Sequence, residues 1–166
     1  MHGKYILLIV SLYSFVFTSS ADENCDGYIA PIKWGWKSSA YGDRTDPFTG
    51  KPAFHNGIDL ATKATEKAYA SQSGVVVFAG EQGQHGNRIE IEHYNAHITT
   101  YSHLGSIAVK EGEQVTKGQT LGNVAPTSGR STGPHVGFEL IIDGEKVNPE
   151  DYLPPARSCS HLYLVK

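Results

Sequence analysis

The chain has 166 residues, a formal net charge of −3 and a charged fraction of 19%. A chain of this length is expected to form one domain and to bury most of its apolar surface without help from a metal or a disulfide. It has no run of Lys or Arg, so it lacks the basic footprint of a nucleic-acid-binding protein, and we exclude that class of partner.

The first residues have the pattern of an export signal. Lys4 precedes an almost wholly apolar stretch over 5–17, and residues 19–21 (Ser-Ser-Ala) are small, as signal peptidases require. A membrane span needs about 20 apolar residues, and this stretch is shorter. We therefore predict a signal peptide over 1–21 and a mature single domain over 22–166 with no transmembrane anchor. The protein is expected to be periplasmic or secreted.

Two cysteines remain after this cleavage, Cys25 near the new N-terminus and Cys159 near the C-terminus. An oxidising compartment lets cysteines pair, so we predict a Cys25–Cys159 disulfide. On the chain-entropy model, closing so long a loop stabilises the folded state by up to roughly 4 to 5 kcal/mol.

The mature sequence predicts a mainly β domain, because Gly and Pro interrupt every helical pattern and apolar residues fall in short β-branched runs. Six strands are predicted, over 67–70, 74–79, 88–94, 97–104, 120–124 and 135–142. Asn95-Ala96 is predicted to be a hairpin turn. Segments 45–54 and 126–134 are predicted loops. Alternation on 88–94 places Ile89, Ile91 and His93 on one face and Arg88, Glu90 and Glu92 on the opposite, solvent-facing side.

Among the polar residues, His55 and Asp59 form the first candidate metal site. They lie four residues apart around Gly57, which disfavours a helix, so a bend of the chain lets both side chains meet one ion. Neutral imidazole and carboxylate are ordinary zinc ligands, and catalytic zinc sites commonly have three protein ligands and a water. Taken alone, this pair is better explained by a surface turn.

Two later segments, Tyr101–Leu104 and Gly133–Leu140, contain His103 and His135. With the His55–Asp59 pair they make the chain resemble the lysostaphin/LytM-type zinc metalloendopeptidases. The pattern of that family is His-x-x-x-Asp, Tyr-x-His-Leu and Gly-Pro-His-x-His-Phe-Glu, in this order. The resemblance also includes segments 41–50 and 109–122, and extends over roughly 29–153.

This resemblance implies a small two-sheet antiparallel β domain with a central groove. At its floor, zinc would activate water against peptide cross-links or bridges of peptidoglycan, the implied partner. It implies that His55 and Asp59 are zinc ligands and that His103 and His135 are catalytic. Glu139 falls on the same strand face as His135 and is expected to orient a histidine without touching the metal.

One position departs from the family pattern. The third zinc ligand of the family is the second histidine of His-x-His, and here that position is Gly137. Three outcomes follow: water replaces the ligand, His135 turns to become one, or no metal binds and the groove binds cell-wall peptides or regulates another hydrolase. The other histidines cannot be ranked as substitutes from the sequence; they are His85, His93, His97 and His161.

The leading hypothesis is therefore an exported peptidoglycan metalloendopeptidase-like protein whose catalysis is impaired and whose zinc binding is weakened or lost. The alternative is a non-catalytic domain of the same fold that binds cell wall or activates another cell-wall hydrolase. A third interpretation starts from the glycine rhythm of 109–122, which also resembles biotinyl and lipoyl carriers, but Lys110 and Lys117 lack the flanking residues of a modified hairpin tip.

The N-terminal part of the mature chain is rich in aromatic residues: Tyr28, Trp34, Trp36 and Tyr41. They either flank the groove and stack on sugar or peptide, or pack in the core. Because aromatic side chains dominate core energetics, we predict packing for most of them.

Overall fold

The computed structural model describes residues 27–154. They form the predicted mainly β fold, with two antiparallel sheets, one of ten strands and one of two. Within this range no helix has the length and apolarity to span a membrane. The predicted signal peptide, 1–21, lies outside the described residues, as do Cys25 and Cys159, so the export signal and the disulfide stay predictions.

The strands of the described chain are β1 Trp36–Ser39, β2 Gly42–Thr45, β3 Pro52–His55, β4 Ile58–Ala61, β5 Lys67–Tyr69, β6 Gly74–Glu81, β7 Asn87–His93, β8 Ile98–Ile107, β9 Gln114–Val115, β10 Thr120–Val124, β11 His135–Ile142 and β12 Glu145–Val147. Two 3-10 turns cover Gly83–His85 and Pro149–Asp151. The predicted bounds of β10 and β11 are confirmed, while β5 to β8 differ from prediction only at their ends. Segment 126–134 is a loop, as predicted.

The large sheet places the candidate site residues in rows across its middle strands. Its order is β1-β4-β11-β8-β7-β6-β9, with β10 paired to β8 and β5, and β12 paired to β11. Asp59 pairs with Gly137, which pairs with Ser102. Because directly paired residues of antiparallel strands project to the same side, this row defines one face of the sheet, called here the groove face.

The opposite face of the same strands forms the core. Leu60, Val136 and Phe138 alternate with the groove-face residues and are almost fully buried. Alternation along β11 predicts Phe138, Leu140 and Ile142 on the core side. Phe138 and Leu140 are buried there, and Ile142 packs against the core at its margin. Tyr101 is buried beside Phe138, with ring centroids 5.5 Å apart. This packing fixes which side chains reach the groove.

The prediction of a loop over 45–54 is wrong at its ends. β2 and β3 form a hairpin in which Thr45 pairs with Pro52. Pro52 favours a loop in the sequence, but a strand of a two-stranded ribbon can place proline where no hydrogen bond is needed. At the turn, the Asp46 carboxylate accepts hydrogen bonds from the backbone N–H groups of Phe48 (2.9 Å) and Thr49 (2.8 Å).

The prediction that Arg88 faces solvent is also wrong, since the residue is only 9% exposed. Its guanidinium pairs with Glu90 at 2.8 Å and lies 3.8 Å from Glu139. It also donates to the side-chain oxygen of Gln82 at 2.6 Å. Water around this cation is therefore replaced by Glu90 on the same strand, by Glu139 on β11 and by Gln82 after β6. Sequence alternation cannot show the last two contacts.

The predicted hairpin turn at Asn95-Ala96 is confirmed and is anchored by a buried histidine. The ring of His93 lies with Nδ1 at 2.9 Å from the carbonyl oxygen of Ser73 and Nε2 at 2.8 Å from the hydroxyl of Thr99. Burial, the largest cause, lowers the pKa of His93 below its ordinary value of 6.5. The folded protein therefore binds this proton less readily than the unfolded chain.

This difference predicts acid sensitivity. The free energy of unfolding should be highest above pH 6.5, the ordinary histidine value, and should decrease as the pH falls from there toward the lowered pKa of His93. His93→Gln should weaken this dependence. Urea denaturation of both proteins between about pH 7.5 and pH 5 measures it. His85 and His103 also have lowered pKa values but are present in both proteins. Parallel stability curves for the two proteins would contradict the prediction.

Candidate functional site

A groove with a cavity of about 310 Å³ lies on the groove face of the sheet. Asp59, Gly137 and Ser102 form its floor, and the β2–β3 hairpin supplies residues on its side. Further lining residues come from the loops around Gln84 and Arg130. All four predicted site residues, His55, Asp59, His103 and His135, line this one cavity, as does Glu139.

Backbone carbonyl groups hold three of the groove histidines in one tautomer. The Nδ1 atoms lie close to a carbonyl oxygen in each case: Ala40 for His55 (2.9 Å), Ser128 for His103 (2.7 Å) and Gly133 for His135 (2.8 Å). A carbonyl oxygen can only accept, so each Nδ1 carries the hydrogen. Each Nε2 is left to bind a ligand, which is the arrangement that metal-binding histidines require.

His103 reaches the groove through an irregularity of β8. Ser102 faces the groove, so strict alternation would send His103 to the other face. Its φ of +65° breaks the alternation, a conformation that costs a non-glycine residue about 1 to 3 kcal/mol. Its ring lies 4.7 Å from that of His135, measured between centroids. Burial lowers the pKa of His103, so its imidazole is neutral at pH 7.

The Asp59 carboxylate is the centre of the site. Its Oδ1 lies 3.4 Å from Nε2 of His55 and 3.7 Å from Nε2 of His135. Its Oδ2 accepts a hydrogen bond from Arg44 at 3.0 Å, and the same Arg44 nitrogen donates to the hydroxyl of Ser39 at 2.7 Å. Burial would raise the pKa of Asp59, but the hydrogen bond and charge of His55, the charge of His135 and the bond to Arg44 outweigh it, so the pKa is lowered.

Gly137 faces the same centre. A Cβ atom at this position would lie 3.3 Å from Cδ2 of His103, 3.5 Å from Cβ of Ser102 and 3.7 Å from Oδ1 of Asp59. The position therefore projects toward Asp59 among the groove histidines, where the family pattern has its third ligand. Glycine supplies no donor atom there, and the His103 ring lies against the space.

The donor set does not fit a catalytic zinc ion. Among residues 27–154, no three His, Cys, Asp or Glu side chains form a group that could hold a metal. His55 and Asp59 present two adjacent donors, whereas catalytic zinc sites commonly have three protein ligands. The second carboxylate oxygen of Asp59 is already bonded to Arg44. The two candidate ligands, His55 and Asp59, are therefore adjacent, and position 137 supplies no third donor.

Sequence reasoning did not identify the arginines of the groove. Arg130 pairs with Asp46 at 2.6 Å, and its guanidinium carbon lies 4.5 Å from the ring centre of Phe48. These contacts join segments 84 positions apart, so no local pattern predicts them. Arg44 lies within segment 41–50, which is part of the family resemblance, so the resemblance could have indicated that Arg44 belongs to the groove.

Glu139 lies in the groove as predicted, with partners on two sides. Its Oε1 accepts from Lys146 at 2.9 Å, and its Oε2 lies 3.8 Å from Arg88. Its role in orienting a histidine stays a prediction. His85 also lines the groove, and burial together with the charge of Arg88 lowers its pKa.

The sequence matches the family model described as Peptidase family M23 over residues 53–149. A curated relative, the peptidoglycan DD-endopeptidase ShyA of Vibrio cholerae, is 40% identical over 120 residues, which are 71% of this chain and 28% of ShyA. The DD-carboxypeptidase/endopeptidase Mpg of Neisseria meningitidis is 40% identical over 121 residues, 73% of this chain and 28% of that protein. The chain thus spans little more than a quarter of the length of these relatives.

Solved structures show the same fold. The catalytic domain of the antimicrobial peptidase lysostaphin from Staphylococcus simulans superposes with a TM-score of 0.63 at 29% identity, covering 69% of this chain and 89% of that domain. The similarity therefore extends over nearly all of the lysostaphin domain, and the fold implied by the sequence resemblance is confirmed.

Restoring a donor at position 137 should restore zinc binding. We expect Gly137→His to raise zinc affinity at least about tenfold, because it adds the third protein ligand. The His103 ring must yield by a few tenths of an ångström to admit the new Cβ. The measurement is the zinc content of dialysed mature protein, together with its affinity by competition with a chelator.

Gly137→Ala is the matched control, because it adds the Cβ without a donor and should leave zinc binding as weak as in the unaltered protein. One tight zinc ion in the unaltered protein would contradict this account of Gly137.

Proposed function

Because this chain belongs to peptidase family M23, we propose that it is an exported domain that binds peptidoglycan peptides in its groove and whose zinc-dependent hydrolysis is impaired. Two of its curated relatives are named as peptidoglycan or carboxypeptidase/endopeptidase enzymes, which supports this choice of ligand class. The predicted signal peptide supports export to the periplasm or the medium.

The observation that carries the proposal is the contrast between the anchored histidines and the empty position 137. His55, His103 and His135 each keep the carbonyl partner that fixes the tautomer. Asp59 keeps its place between two of them. With no donor at Gly137, this arrangement supports ligand recognition better than metal-dependent chemistry.

The groove has the chemistry of a peptide-binding site. With Nδ1 protonated, the neutral imidazole of His103 accepts a hydrogen bond at Nε2, and Asp59 adds a negative charge beside it. Acceptors of this kind suit the N–H groups of an extended peptide and the free amines of its side chains. Phe48 and Phe54 are half-exposed at the groove and offer apolar contact to the same ligand.

The test is to mix purified mature protein with cross-linked peptidoglycan peptides. Binding is measured by calorimetry and cleavage by chromatography of the products, in buffer with added zinc. We expect the unaltered protein to bind without cleaving at an appreciable rate, and Gly137→His to gain hydrolysis. Adding His103→Ala to Gly137→His should reduce the regained rate roughly 100-fold or more, because proton transfer by a positioned group contributes this much.

Gly137→Ala is again the control and should bind without cleaving. Cleavage by the unaltered protein as fast as by Gly137→His would reject the impairment. Failure of the unaltered protein to bind any of the peptides would reject the binding role.

A further inference from the structure

Trp36 lies on the groove face of the sheet. It pairs with Ala61 on β4, and Ala61 pairs with His135 on β11. Because cross-strand partners project to the same side, the indole shares a face with the His135 imidazole. Trp36 is 51% exposed and Trp34 is 60% exposed, so the prediction of core packing is wrong for these two residues. It holds for Tyr28, which is buried, and for Tyr41, which packs against the core.

On this face of the sheet, His135, Ala61 and Trp36 follow one another across β11, β4 and β1. Neighbouring strands are about 4.8 Å apart, so His135 and Trp36 are separated by about 10 Å across the sheet. Ala61, between them, has only a methyl group as its side chain. β1 is the last strand at this end of the sheet order, so the groove face ends at the indole.

The backbone around Trp36 is held in place. A Cβ at Gly35 would lie 2.2 Å from the carbonyl oxygen of Ala61, so glycine is what allows this segment to approach β4. The hydroxyl of Thr62 donates to the carbonyl of Trp34, and Lys37 pairs with Glu150. A fixed backbone with an exposed ring loses little conformational entropy when a ligand binds.

We propose that Trp36 is a subsite for a sugar ring of the peptidoglycan glycan strand. This inference rests on the proposed peptide-binding function, since a stem peptide in the groove is covalently attached to a glycan strand at one end. The flat apolar face of an indole suits the C–H face of a pyranose, and its N–H can donate to a hydroxyl or acetamido oxygen. A single half-exposed ring is much too small for a protein interface, which needs about 800 Å² from each partner.

The experiment compares two probes on the mature protein by calorimetry: a cross-linked stem peptide without sugar, and the same peptide carrying its amino-sugar disaccharide. The unaltered protein should bind the sugar-bearing probe more tightly. Trp36→Ala should weaken binding of that probe roughly threefold to tenfold, the range expected for the loss of one aromatic stacking contact. It should leave binding of the sugar-free peptide unchanged.

Two variants control for folding and for nonspecific effects. Trp36→Phe keeps an aromatic face and should retain most of the preference for the sugar-bearing probe. Tyr94→Ala removes a fully exposed aromatic side chain at the β7–β8 turn, where no groove residue lies, and should change neither affinity. Thermal unfolding of each variant shows that the fold is intact.

The outcomes separate this inference from the function on which it rests. If Trp36→Ala leaves both affinities unchanged, the sugar subsite is rejected while peptide binding stands. An equal loss for both probes also rejects it, because the ring would then contact peptide. If the unaltered protein binds neither probe, both the subsite and the proposed function are rejected.

Discussion

The strand register across β4, β11 and β8 is the constraint on which the site depends. Asp59, Gly137 and Ser102 lie in one row because these three strands pair at those residues. Side chains alternate with a period of two, so a slip of one residue would turn Asp59 into the core and bring Leu60 to the groove. The buried residues Leu60, Val136 and Phe138 prevent that slip, and the hydrophobic core therefore determines which side chains the groove presents.

Charge balance within the groove explains how a site with an incomplete ligand set can remain folded. A carboxylate that is largely shielded from water is costly unless a positive group accompanies it. Asp59 has Arg44 on one oxygen and the histidines on the other. The guanidinium therefore supplies part of the positive charge that a metal ion would bring beside this carboxylate.

Much of this arrangement was readable from the sequence, for identifiable reasons. Strands β10 and β11 have β-branched or apolar residues between clear turn residues, so their bounds were predicted correctly. Residues two apart on a strand share a face, so the spacing of His135 and Gly137 predicts that both face the site, as the strand register shows. The order of the motifs matched the family pattern. That match allowed His55 and His103, which are nearly fifty residues apart in the sequence, to be assigned to one site.

The rest depends on features without a local signal. The positive φ of His103 is set by irregular pairing of β8, and the salt bridge from Arg130 to Asp46 joins distant loops. Pro52 suggested a loop where the hairpin has a strand. The burial of Arg88 depends in part on Gln82 and Glu139, which lie in other segments of the chain.

The carbonyl groups that orient His55, His103 and His135 belong to the backbone and not to side chains. Replacing the side chain of Ala40 or Ser128 would leave the backbone carbonyl oxygen of that residue in place. The path of the main chain therefore determines the orientation of each ring. Substitutions at these carbonyl-bearing positions can therefore leave the orientation of the three imidazole rings unchanged. Under the proposed function, a change at position 137 alone is then enough to alter what the groove can bind, because the imidazoles around it are already oriented.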